Sequence, residues 1–94
     1  MLRKVDVNTV VSDDHGFEVR VRMGQCIILY REGDSSLEID FDRVSKPDGI
    51  AIYTECLDQW KPPNGSASSP DDKSRIIDNI RQALELLDCP CEMI

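Results

Sequence analysis

Three groups of residues in this chain have side chains suited to chemistry: four cysteines, one histidine beside two aspartates, and several runs of carboxylates. Cys26, Cys56, Cys89 and Cys91 invite a zinc reading. Structural zinc sites pair their ligands as C-x2–4-C, twice or together with two histidines. The one close pair, Cys89-Pro90-Cys91, is a residue too tight, and Cys26 and Cys56 fall in or beside strand-like stretches. Buried thiols acting as small hydrophobes account for this spacing better. Nothing sufficiently basic stands near Cys89 and Cys91 in the sequence to depress a thiol pKa for redox work. The expectation is no bound metal and no cofactor.

His15 follows Asp13 and Asp14, an arrangement that can orient an imidazole for acid–base work or hold a metal. The trio sits in an expected hairpin loop, where Asp and His are ordinary turn residues. Hydrolysis would also need a placed nucleophile and oxyanion donors, and no motif marks either. The chain therefore reads as a protein without enzymatic activity.

The carboxylates are the third group. Glu38, Asp40 and Asp42 alternate with Leu37, Ile39 and Phe41, so they share one strand face, opposite the apolar one. A general acid–base pair needs a cleft and split pKa values, which the outer face of a small sheet does not offer. Two readings stand for this trio: a solvated face, or a contact whose mutual repulsion a basic partner relieves. Arg20 and Arg22, on the polar face of another strand, would offset it if the two strands adjoin. Asp71 and Asp72 open a helix, where capping explains them. The loop carboxylates Asp13, Asp14, Glu32 and Asp34 form a second candidate contact. Trp60 is either an interface anchor or a plug between sheet and helix.

The elements that position these residues are readable from periodicity. Val5 and Val7, then Phe17, Val19, Val21 and Met23, then Leu37, Ile39 and Phe41 alternate with polar residues, which predicts strands with one buried face. Cys26 to Tyr30 is apolar at every position and fits a central strand covered on both sides. A fifth strand is expected over Ile50–Thr54. Asp13–Gly16, Met23-Gly24, Glu32–Asp34 and Lys46–Gly49 carry turn chemistry, and such short connections imply an antiparallel meander. Trp60–Ser69, with Pro62 and Pro63, is a connection. Ser69, Pro70 and Asp72 then give an N-cap, a first-turn proline and capping-box spacing. Ile76, Ile77, Ile80, Ala83, Leu84 and Leu87 make one apolar stripe, predicting a helix over Pro70–Leu87. Pro90 is expected to end it, and Glu92-Met93-Ile94 to add a last strand or to fray. The fold expected is a single α+β domain over residues 1–94, with an antiparallel sheet of five or six strands and one C-terminal helix packed on one face.

Eighteen acidic residues against eleven basic ones leave this 94-residue chain with a formal charge of −7. That balance repels nucleic acid and anionic membrane and attracts basic surfaces. No apolar run approaches the ~18 residues of a membrane span. The start, Met1–Asn8, lacks the apolar core of a signal peptide. The expectation is a cytoplasmic chain with reduced cysteines.

The run Gly24–Gly33, with Trp60-Lys61-Pro62-Pro63, Ser69-Pro70-Asp71-Asp72, Arg75-Ile76 and Asn79-Ile80, resembles the small acidic immunity proteins of bacterial polymorphic-toxin and contact-dependent growth inhibition systems. The resemblance spans most of the chain. It implies a cytosolic protein, monomeric when free, that binds a cognate toxin, often a nuclease, and blocks its action. Such proteins act by binding, so no catalytic residues carry over. An acidic secretion chaperone or small adaptor is the alternative; many of those resemble helix-first dimeric folds, whereas this chain begins with strands.

Overall fold

The computed structural model describes residues 2–14, 16–22, 24–45, 48–58, 60, 69–89 and 91–93. Seven strands form one sheet, ordered as they occur in the chain: β1 (Leu2–Asp6), β2 (Thr9–Ser12), β3 (Phe17–Arg22), β4 (Ile27–Glu32), β5 (Ser35–Ser45), β6 (Asp48–Ile52) and β7 (Cys91–Met93). The first six are antiparallel to their neighbours. The helix α1 (Pro70–Leu86) then returns the chain, and β7 lies parallel to β6 with Ile50 opposite Cys91. A parallel pair needs such a crossover, so the meander covers six strands and not the seventh.

The residues 35–40 of β5 pair with β4, and the residues 41–45 pair with β6. Handing one long strand between two neighbours curls the sheet. Its inner face carries Val10, Val19, Val21, Ile28, Tyr30, Leu37, Ile39 and Phe41, and it closes on Ile76, Ile80, Ala83 and Leu84 of α1. Each fully buried Leu or Ile contributes ~1.5–3 kcal/mol of transfer free energy.

Both ends of α1 are chemically fixed. The Ser69 hydroxyl accepts from the Asp72 N–H at 3.0 Å, and the Asp72 carboxylate accepts from the Ser69 N–H at 3.1 Å, the reciprocal bonds of a capping box. That backbone donor, and then Arg75, hold the Asp72 carboxyl below the usual carboxylate range. At the other end Asp88 takes φ +55°, Asp88 N–H donates to Glu85 O at 3.1 Å and Cys89 N–H to Leu84 O at 2.9 Å. That is a Schellman stop with aspartate in the left-handed position glycine usually fills. Pro90, expected to end the helix, lies outside the described residues, as do His15, Met23, Lys46, Pro47 and residues 61–68.

Four expectations need correction. The sheet has seven strands, not five or six, because residues 2–12 form a hairpin rather than one strand. Val5 and Val7 are accordingly not a buried face: they are 47% and 82% exposed, Val5 on an edge strand and Val7 in the turn. The Asp6 carboxylate accepts the Val7 N–H at 2.6 Å and fixes that turn. The turn signal at Met23-Gly24 places the positive φ on the glycine; in the β3–β4 connection it falls on Cys26 (+54°) instead. The expected strand over Ile50–Thr54 runs instead from Asp48 to Ile52, followed by a 3-10 turn at Thr54–Leu57.

Candidate functional site

The outer face of the sheet gathers the strand carboxylates and strand arginines singled out in the sequence. Alternation along β5 sends Leu37, Ile39 and Phe41 into the core and leaves Glu38, Asp40 and Asp42 exposed together. Register then decides their neighbours. Glu38 lies opposite Leu29, and Leu29 opposite Arg20; Asp40 lies opposite Ile27, and Ile27 opposite Arg22. The arginines of β3 therefore do not adjoin the carboxylates of β5. Strand β4 separates them, putting β3 and β5 roughly 10 Å apart at the usual strand spacing. The face is striped: basic on β3, apolar at Ile27 and Leu29, acidic on β5. Glu18 interrupts the basic stripe and draws both Arg20 (3.9 Å) and Arg31 (3.6 Å).

The acidic stripe continues past β5. Tyr53 donates its hydroxyl to the Asp42 carboxylate, and the Cys56 thiol approaches Asp40 at 3.9 Å. The bond to Asp42, then slight desolvation and the charges of Asp42, Glu55 and Asp40, push the Tyr53 phenol above its ordinary value. Beside it a cleft of about 500 Å³ is lined by Tyr53, Glu55, Leu57, Asp58, Lys73 and Ile77, with Lys73 ion-paired to Asp58. Sequence reasoning missed this extension. Tyr53 and Asp42 are eleven positions apart, and only the pairing of β5 with β6 brings them together.

The loop carboxylates scatter. Asp13 is held by Arg3 through two contacts of 3.3 Å, with both side chains more than half exposed. Asp14 and Asp34 are exposed in the two turns at that end of the sheet. Glu32 belongs to a different structure altogether. Arg75 grips its two oxygens at 3.1 and 2.7 Å, the Tyr30 hydroxyl donates to it at 2.6 Å, and Asn79 donates to that hydroxyl at 3.0 Å. Arg75 also reaches Asp72 at 2.9 Å, which ties the helix start to the end of β4. Burial, then the bond to Glu32, drives the Tyr30 phenol far above its usual value. This partly exposed network joins sheet to helix, so Glu32 has a role in the fold. Nothing in the sequence signals the long-range Glu32–Arg75 pairing.

Trp60 is 7% exposed, in the core, with its ring 6.5 Å from that of Tyr30. It fills the space between sheet and helix and presents no anchor to a partner. The cysteines are half-buried thiols outside any disulfide. Burial pushes the Cys89 and Cys91 thiols up, outweighing at Cys91 the opposing charge of Arg81, so neither is a poised nucleophile. Among the described residues no group of three His, Cys, Asp or Glu side chains is arranged to hold a metal ion, and no helix is long and apolar enough to cross a membrane. Comparison with protein-family models, with curated proteins and with solved structures found no match to this chain.

Proposed function

We propose that this chain is a non-enzymatic binding protein that neutralises a cognate bacterial toxin, a nuclease being the favoured kind, by charge-steered occlusion. The observation that carries the reading is the exposure of Glu38, Asp40 and Asp42 in one row on the side of β5 opposite the core. An enzyme that cleaves RNA or DNA commonly holds its substrate in a basic cleft. A row of carboxylates two residues apart presents negative charge where phosphates would lie. Long-range attraction between a chain of charge −7 and such a cleft raises the association rate. Apolar contact at Ile27 and Leu29 slows dissociation. Within this reading the protein works in the bacterial cytoplasm, where the toxin would act.

The test starts from the gene beside this one. Its protein product, if it ends in a toxin domain, is assayed for nuclease activity with increasing amounts of this chain. Stoichiometric loss of activity is expected, with a complex that forms more slowly as salt rises past about 0.15 M, where the screening length is ~8 Å. Full toxin activity at a molar excess of the chain would end the proposal.

A further inference from the structure

The outer face has a property that its separate residues do not show. Across β3, β4 and β5 two parallel rows run Arg20–Leu29–Glu38 and Arg22–Ile27–Asp40, positive to apolar to negative. A two-fold axis along β4, lying between two sheets packed face to face, exchanges left and right. It lays the β3 of one copy over the β5 of the other. Each Arg20 then faces a Glu38, each Arg22 faces an Asp40, and Ile27 and Leu29 meet their own counterparts at the centre. An isologous interface requires this kind of self-complementarity.

We propose that this face is the contact between two copies of the chain, which pair through β3–β5 about a two-fold axis parallel to the strands. Sheets packed in this way lie ~10 Å apart with strands within about 30° of aligned, a gap that arginine and glutamate side chains span. The net charge of −7 sets two copies against each other. The face itself is nearly neutral, with Arg20, Arg22 and Arg31 against Glu18, Glu38, Asp40 and Asp42. The remaining charge lies away from the contact, where salt screens it. One unfavourable meeting remains at the margin, between the two Arg31 side chains, each already drawn to its own Glu18.

The footprint sets the strength. Three strands by five residues cover roughly 14 by 17 Å, far below the ~800 Å² per partner of a standard interface. The pair is therefore weak and concentration-dependent, unlike an obligate chaperone dimer. It departs from the free monomer that the resemblance implies; the distribution of charge and not its sum governs the contact. The same face carries the carboxylates assigned to toxin binding, so the two contacts exclude each other. The inference stands without that reading, since it is tested on the chain alone.

Sedimentation equilibrium on the whole chain, from about 10 µM to about 1 mM in about 0.15 M salt, reads the association directly. The mass is expected to rise from one chain toward two. Arg20→Glu with Arg22→Glu makes the face uniformly acidic and is expected to weaken association at least tenfold. Adding Glu38→Arg and Asp40→Arg to that variant restores the opposed stripes and is expected to restore pairing. Amide chemical shifts of the wild-type chain on dilution, which depend on no variant folding, are expected to move on β3, β4 and β5. A single-chain mass throughout, shifts confined to the β1 or β7 edge, or a charge-swapped chain that stays monomeric would each overturn the proposal. A failure of this kind leaves toxin neutralisation to be judged by its own assay.

Discussion

The inner and outer faces of the sheet are made from alternate residues of the same strands, and they differ in what holds their side chains. On the inner face Ile28, Tyr30, Leu37 and Ile39 meet a second layer, the helix residues Ile76, Ile80, Ala83 and Leu84, and every one of these is fully buried. On the outer face the β3–β5 side chains meet one another and solvent. Packing fixes the first face and charge organises the second. Substitutions should therefore separate folding from binding according to which side of a strand they strike.

The largest effect is expected from the inner face. Ile80→Ala or Leu84→Ala removes fully buried methylenes and should cost ~2–5 kcal/mol, which in a domain of this size lowers Tm by roughly 10 °C or more. Gln82→Ala, exposed on the same helix, should move Tm by no more than about 0.5 kcal/mol allows. Equal effects at the three positions in thermal denaturation would remove the distinction.

Ion pairs give the next contrast. Arg75→Ala strips the half-buried Glu32 of its bidentate partner and uncouples the helix start from β4. With Arg75 44% exposed, solvent screening limits the loss to ~1–2 kcal/mol. Asp13→Ala breaks a pair open to water on both sides and should cost about 0–0.5 kcal/mol. A urea titration that ranks them the other way would show that the Tyr30–Glu32–Arg75 network is not what joins helix to sheet.

A smaller effect appears at high pH. Cys89, Cys91 and Tyr30 all have values raised in the folded chain, chiefly by burial. The folded chain thus keeps protons that the unfolded chain releases. Their contribution is full below the ordinary thiol value of about 8.5 and is lost as pH rises through the raised values. Stability should fall gradually above that point, and Cys89→Ala should reduce the slope. A chelator such as EDTA should change neither the far-UV circular dichroism nor Tm, because a structural zinc would contribute folding energy outright; a drop reversed by zinc would show otherwise.

The inner face was also the more legible in the sequence. Ser69, Pro70 and Asp72 announced the helix start, and the stripe from Ile76 to Leu84 named the residues that are buried. Alternation did the same for β3 and β5; β4, apolar from Cys26 to Tyr30 and expected to be covered on both sides, buries Ile28 and Tyr30 fully and Ile27 and Leu29 only in part, because none of the described residues forms a second layer on its outer face. Both signals are local, and so are the interactions behind them. The misreading at Val5 and Val7 has a physical reason. Alternation shows which residues share a face, but not whether a second layer covers that face, and at the β1 edge it does not. The parallel placement of β7 beside β6 is likewise a long-range event that three residues cannot encode. On the outer face the sequence showed which carboxylates lie together. It could not show that Ile27 and Leu29 stand between them and Arg20 and Arg22, because that depends on strand order and register. Trp60, which the sequence left between interface anchor and plug, lies in the core against Tyr30, and Glu32, counted with the loop carboxylates, is held by Arg75 from the helix; both partners are more than twenty residues away.

The division between the two faces is tested most directly by Glu38→Lys combined with Asp40→Lys, with Tm and toxin neutralisation measured on the same preparation. Both residues are exposed and lie opposite the core. Tm is expected within a few degrees of wild type, as for surface substitutions worth about ±0.5 kcal/mol, together with loss of the proposed neutralisation. A folded variant that neutralises the proposed toxin as the wild type does, with association as salt-dependent as before, would contradict that division.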